Sequence, residues 1–101
     1  MKLLIVTAVE EFHGEIRSLF KKAGIENFSS SEIDGFKNQN ALRVSTSWFP
    51  GEKGANESSL FFSFTAEEKI DTFFEMIKDF NEKILSPNPV RAIVVPIEKI
   101  V

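Results

Sequence analysis

The side chains with the chemistry to bind a ligand fall into two groups. The first lies at the start of the first predicted helix, where the single histidine, His13, follows Glu10 and Glu11. Imidazole and carboxylate groups bind several transition metals, so His13 and Glu10 are candidate ligands of a divalent metal ion. Two side chains do not complete a site, and a further acidic ligand would have to come from elsewhere, such as a neighbouring subunit. The alternative is a solvated histidine on the first turn of a helix.

The second group lies in the connection spanning residues 37–58, which shows no sustained periodicity. Long connections without secondary structure are uncommon in compact domains and are often functional loops. Its ends are polar, but its middle carries the aromatic pair Trp48 and Phe49. We expect these two residues to anchor a protein partner; packing against the protein's own assembly, or a passive insertion, are the alternatives. Lys53 is a candidate contact for an anionic ligand.

Composition excludes several classes of function. With no cysteine there is no disulfide, thiolate metal site or cysteine nucleophile. The formal net charge of -3 argues against nucleic acid as a partner, because phosphate binding needs clustered basic residues. The apolar run after Met1 is too short for membrane insertion or a signal core, which predicts a cytoplasmic protein. No catalytic set of residues is evident, so we expect a protein that is not an enzyme.

Hydrophobic periodicity predicts one domain of four strands and two helices. The order is strand 3–9, helix 11–23, strand 27–36, strand 60–64, helix from about 65 to 84, and strand 90–95. This βαββαβ order predicts an α+β, ferredoxin-like fold, in which a four-stranded antiparallel sheet carries both helices on one face. The other face has to be covered, and the apolar first and last strands favour packing against other subunits in a closed oligomer.

Local signals predict how the helices begin and end. Thr7 with Glu10, and Thr65 with Glu68, have the spacing of capping boxes before the first and second helix. Gly24 follows the last apolar position of the first helix and suits a left-handed C-cap.

Several of these residues resemble the PII (nitrogen regulatory) signalling proteins. The first helix ends in Lys22-Ala23-Gly24-Ile25, the second strand ends in Glu32-Ile33-Asp34-Gly35-Phe36, and Gln39 follows shortly afterwards. The connection 37–58 occupies the position of that family's T-loop. The order of elements matches throughout, whereas the motifs are confined to residues 12–39.

The resemblance implies a homotrimer that binds ATP or ADP, and often 2-oxoglutarate through a magnesium ion, in clefts between subunits. By position, Gly35 and Phe36 would let the backbone approach the ligand, and Lys37 would lie beside them. Gln39 would meet the metal ion at the base of the loop. The T-loop would then engage a protein partner, such as a transporter.

The chain departs from the PII pattern in four respects. It has no tyrosine, so uridylylation of the loop is impossible. Lys37 and Asn38 stand where the family has a glycine and a basic residue. The Gly-rich phosphate loop before the last strand is replaced by Ser86-Pro87-Asn88-Pro89, and Lys99 is the one basic residue near the end of the sequence. Prolines lack the N–H groups of a phosphate nest, so we expect the standard ATP site to be lost.

Two other hypotheses remain open. The chain is also similar in its order of elements to the CutA family of trimeric ferredoxin-like proteins, which implies a divalent metal bound by His13 and Glu10. The third hypothesis is a small enzyme with its site in a cleft between subunits.

Overall fold

The structure is a computed structural model that describes residues 1–37 and 54–101, with residues 35–37 and 54–56 described by their backbone alone. Its elements are β1 (Lys2–Val9), a 3-10 turn (Glu10–Phe12), α1 (His13–Lys22), β2 (Ser29–Lys37), β3 (Gly54–Thr65), α2 (Glu67–Ile84) and β4 (Arg91–Pro96). The predicted order of strands and helices is confirmed. Within these described ranges, no helix is long and apolar enough to cross a membrane.

The four strands form one antiparallel sheet in the order β2-β3-β1-β4. β1 lies in the middle, paired with β3 on one side and β4 on the other, so β2 and β4 are the edges. This order places each helix in a crossover between two parallel, non-adjacent strands. It is a ferredoxin-like α+β arrangement, which confirms the predicted fold class.

The core lies between one face of the sheet and the two helices. Alternate residues of β1 (Leu4, Val6 and Ala8) are fully buried on this face, because side chains along a strand point to opposite sides. Phe20 of α1 lies at the centre, fully buried and in ring contact with three other phenylalanines, Phe28, Phe61 and Phe73. The abundance of phenylalanine is therefore used to fill the space between α1, α2 and the sheet.

The opposite face of the sheet, here called the open face, carries neither of the two helices that the structure describes. Its apolar residues include Leu3, Ile5, Leu60, Phe62, Phe64, Ile93 and Val95, by alternation with the core positions. Phe62 is 39% exposed, Phe64 49% and Ile93 41%. Single exposed apolar residues are ordinary, but a contiguous patch across three strands is typical of an interaction surface.

At the helix ends, the structure confirms the predicted C-cap and contradicts the two predicted capping boxes. Gly24 has a φ of 79° and follows α1 as a Schellman C-cap, with Ile25 N–H donating to Phe20 O at 2.9 Å. Both predicted capping boxes are wrong. Thr7 lies within β1 and Thr65 within β3. Both residues are therefore paired in the sheet, whereas the local sequence pattern predicted that they cap helices. The N-cap of α2 is Ala66, which makes no side-chain capping bond.

β3 begins at Gly54, whereas the sequence predicted a strand from residue 60. Residues 54–57 are polar or small and have poor strand propensity, but they pair residue by residue with the end of β2. The predicted loop 37–58 is therefore strand at both of its ends, and its remaining residues, 38–53, lie outside the described part of the chain.

Asn81 of α2 fixes the connection between α2 and β4. Its Oδ1 accepts a hydrogen bond from Val90 N–H at 2.8 Å, and its Nδ2 donates to Val90 O at 3.0 Å. Val90 is 2% exposed, so its backbone groups cannot turn to water instead. The Asn81 amide thus makes the same pair of hydrogen bonds that a neighbouring strand would make, and it fixes the position of the chain just before β4.

Replacing Asn81 by Ala is expected to lower the free energy of unfolding by about 1–3 kcal/mol, because the buried N–H and C=O of Val90 lose their partners. Urea denaturation monitored by circular dichroism measures the change. Replacing the adjacent, exposed Glu82 by Ala is the matched control, with an expected change within about 0.5 kcal/mol. Equal midpoints for the two variants would contradict the role given to Asn81.

Candidate functional site

The β2–β3 hairpin extends beyond the rest of the sheet. β1 stops at the pair Val9↔Ser58, whereas β2 and β3 continue through Asp34↔Glu57, Gly35↔Asn56, Phe36↔Ala55 and Lys37↔Gly54. Four residue pairs at about 3.3 Å each make a two-stranded ribbon roughly 13 Å long. The ribbon leads into residues 38–53, so any ligand or partner bound there would act on the sheet through it.

Acidic side chains from three elements meet at the base of this ribbon. Glu10 follows β1, Glu57 lies next to the last residue pair of β1 and β3, and Glu32 pairs with Ser59 on the helix side of the sheet. Asp34 follows on the same side of β2. A cleft of about 250 Å³ is lined by Glu32, Ile33, Asp34 and Glu57. We call Glu10, Glu32, Asp34 and Glu57 the carboxylate cluster.

Glu10 is the member of the carboxylate cluster whose proton affinity is changed. Its hydrogen bond with Glu32, followed by that with Glu57 and by repulsion from their charges, raises the pKa of Glu10 to about 7 from an ordinary value of 4.5. A protonated carboxyl can donate a hydrogen bond to a neighbouring carboxylate, whereas adjacent charged carboxylates repel one another. The base of the ribbon therefore changes charge near neutral pH.

His13 is held beside this cluster by the sheet. Its Nδ1 and the Oγ of Ser59 form a hydrogen bond of 2.8 Å, and its ring lies 4.9 Å from the ring of Phe61. Ser59 is fully buried. The position of His13 is thus set by packing and by a buried hydroxyl. A buried serine without access for a substrate is not a nucleophile, so this contact does not indicate hydrolytic chemistry.

The structure shows where the two predicted metal ligands, His13 and Glu10, lie, but it does not show a complete metal site. Glu10 lies in the carboxylate cluster and His13 makes the contact with Ser59. Residues 1–37 and 54–101 contain no group of three His, Cys, Asp or Glu side chains arranged to hold a metal ion. Metal binding by His13 and Glu10 stays a prediction. It is tested by titrating the wild type and His13→Ala with divalent metal ions. Equal affinities of the two proteins would exclude a role for His13 as a ligand.

Three of the predicted ligand-binding residues, Gly35, Phe36 and Lys37, lie on the ribbon. The structure describes the backbone of Gly35, Phe36 and Lys37, which pairs with residues 54–56 of β3. Gln39, Lys53, Trp48 and Phe49 lie outside the described residues. Their roles in ligand and partner binding stay predictions, and the structure fixes only the two residues that flank the segment, Lys37 and Gly54.

The connection before β4 offers no phosphate nest. Of its four positions from 87 to 90, two are prolines, which have no N–H. Asn88 N–H donates to Ser86 Oγ at 2.9 Å, and Val90 N–H donates to Asn81. The backbone donors that a Gly-rich loop would direct at phosphates are therefore absent or already used within the protein.

Sequence reasoning missed most of the carboxylate cluster because it is a product of strand register. Glu32 and Asp34 are two residues apart, as are Glu57 and Ser59, so each pair shares a face of its strand. That alternation was a usable signal. It could not be combined with Glu10 without knowing that β3 begins at Gly54 and pairs along its whole length with β2.

Comparison with known proteins supports the fold but does not indicate a function. No family model matches the chain, and no curated protein matches it. Among solved structures it is similar to a DUF3240 family protein from Shewanella baltica OS155, with a TM-score of 0.68 and 17% sequence identity. The match covers 99% of this chain and 92% of that one. At this identity the likeness shows a shared fold over nearly the full length of both chains.

Proposed function

We propose that this chain is a PII-like regulatory protein rather than an enzyme. It assembles into a homotrimer through the open face of its sheet and senses a small ligand in the clefts between subunits. It signals to a protein partner, such as a transporter, through the loop predicted at 37–58. The support is the ferredoxin-like fold, the Gly35-Phe36 end of β2 and the ribbon that carries the loop.

The observation that carries the proposal is the apolar open face. A small chain buries a limited fraction of its surface, and here the helices cover one side of the sheet alone. Covering the second side with other copies of the chain would remove Phe62, Phe64 and Ile93 from water. A closed ring does this without leaving an unpaired surface, which favours a cyclic oligomer over an open chain.

The regulatory step is a shift between states of the loop. A ligand bound near Gly35 and Lys37 that prefers one arrangement of the ribbon end raises the population of that arrangement. Trp48 and Phe49 then become more or less available to the partner. The internally bonded connection at 87–90 argues that such a ligand would not be held by the standard phosphate loop of the PII proteins.

The oligomer is tested by replacing Phe64 with Lys and measuring mass by sedimentation velocity. The wild type is expected to be a trimer, and the variant a monomer with unchanged circular dichroism, because a charge would be buried in the interface. Leu85→Lys is the matched control: Leu85 is 86% exposed at the end of α2, away from the open face. A monomeric wild type at micromolar concentration would contradict the proposal.

Ligand sensing is tested by calorimetry of the oligomer with ATP, ADP and AMP, with and without magnesium and 2-oxoglutarate. Binding that is weakened by Gln39→Ala would support a working cleft between subunits. If none of these compounds binds, nucleotide sensing is excluded for this chain. Limited proteolysis of the loop across a wider set of carboxylates and metal ions would then decide whether it responds to any ligand.

A further inference from the structure

A second cleft lies at the end of the sheet away from the ribbon. Its volume is about 390 Å³, which is within the usual range of roughly 300–1,000 Å³ for binding pockets. It is lined by Glu26, Asn27, Phe28, Ser29, Phe62, Ser63 and Phe64. Its lining thus includes three phenylalanines and one carboxylate. We call it the edge cleft.

The edge cleft exposes the side of a strand. β2 begins at the pair Ser29↔Phe62, but β3 continues to Thr65, which pairs with Lys2 of β1. Residues 63–65 therefore have β1 on one side and, among the described strands, none on the other. Ser63 Oγ donates to Asn27 O at 2.6 Å, which holds the chain leading into β2 on the helix side. An unpaired strand edge beside apolar side chains accepts an extended peptide as an added strand.

A suitable peptide is present in the same chain. Residues 97–101 follow β4 without forming a helix or strand, and their sequence is Ile97-Glu98-Lys99-Ile100-Val101. Ile100 is 73% exposed and Val101 is fully exposed, so most of the apolar surface of these two residues is left uncovered by their own copy. Pro96 pairs with Lys2, which places this segment at the same end of the sheet as the edge cleft but on the opposite edge.

We propose that residues 97–101 of one copy bind in the edge cleft of a second copy. They would add a short strand beside residues 63–65, with Ile100 against the phenylalanines of the edge cleft and Lys99 near the carboxylate of Glu26. Donor segment and acceptor cleft lie on opposite edges of the sheet, so each copy gives to one neighbour and receives from another. Such a head-to-tail contact closes into a ring, and this inference therefore rests on the proposed self-association.

Crosslinking between two single-cysteine proteins tests the contact. The chain contains no cysteine, so introduced thiols react without background. Ile100→Cys and Glu26→Cys are purified separately, one with a mass tag, mixed to allow subunit exchange, and treated with a short bismaleimide. The mixed dimer is expected to exceed both self-crosslinked dimers. In the control mixture, Glu82→Cys replaces Glu26→Cys and is expected to give no preferred product. Glu82 is exposed and lies near the C-terminal end of α2.

Each outcome decides between the two proposals. Preferred crosslinking of the Ile100→Cys protein with the Glu26→Cys protein supports the inference. An oligomer in which this product does not exceed the Glu82→Cys control overturns the inference and leaves the proposed trimer intact. A chain carrying both substitutions that crosslinks only within itself at high dilution would show that the segment folds back into its own cleft, which also overturns the inference. A monomeric wild type overturns both proposals.

A charge reversal supplies an independent readout. Lys99→Glu and Glu26→Lys are each expected to weaken each contact between subunits by roughly two- to five-fold, the range of an exposed ion pair. The double variant is expected to recover the wild-type value, because the pair is restored with opposite polarity. If the two single effects simply add in the double variant, Lys99 and Glu26 do not meet.

Discussion

Replacing Phe20 by Ala is expected to lower the free energy of unfolding by about 3–5 kcal/mol. The ring of Phe20 is fully buried, is stacked 4.5 Å from Phe28, and lies 4.6 Å from Phe73 of α2. It also contacts Phe61 of β3, with ring centroids 5.6 Å apart. The loss therefore combines transfer of a large side chain, a cavity between both helices and the sheet, and three aromatic contacts.

Small domains are typically stable by about 5–15 kcal/mol, so this variant is expected to approach the unfolding threshold. Urea denaturation at one fixed protein concentration measures the change, because self-association adds to apparent stability. Phe20→Leu keeps much of the volume and serves as the graded control, with a smaller expected loss of roughly 1–2 kcal/mol. A loss below about 1 kcal/mol for Phe20→Ala would contradict the packing of α1 on the sheet.

The fold was predictable because its signals lie in side-chain periodicity. The sequence of β1 is a nearly continuous apolar run, the apolar positions of α2 recur at helical spacing, and Gly24 marks the end of α1, where it adopts a left-handed conformation. These signals need no partner element to be recognised. The order of elements then leaves few right-handed windings, and the ferredoxin-like arrangement is among them.

The errors arose where another part of the chain decides the local structure. Thr65 and Glu68 have the spacing of a helix cap, but pairing of Thr65 with Lys2 keeps it in β3. Gly54 and its neighbours have weak strand propensity, yet the partner strand β2 holds them in register. The carboxylate cluster depends on that same register. Its carboxylates come from separate parts of the chain and meet only in the folded protein, so no short stretch of sequence could predict the cluster.

The contribution of Glu10 to the stability of this protein is expected to fall as pH rises from about 5 to 8, and Glu10→Gln is expected to remove that contribution. The pKa of Glu10 is raised to about 7 in the folded state by Glu32 and Glu57, from an ordinary 4.5. Between these two values the folded chain retains a proton that the unfolded chain releases. Stability from this group therefore declines as pH rises through the window, and the full destabilisation is present above about pH 7.

The measurement is the melting temperature by circular dichroism at several values of pH between about 5 and 8, at constant low ionic strength. His13 and Asp34 also face this region and are retained in every variant, so the difference between wild type and Glu10→Gln isolates Glu10. Glu11→Gln, which removes an exposed carboxylate from the same turn, is the matched control and should follow the wild type. Added salt should shrink the difference by screening the repulsion. Parallel curves for wild type and Glu10→Gln would mean that Glu10 is not held against Glu32 and Glu57 in solution, and the base of the ribbon would then carry no charge change near neutral pH.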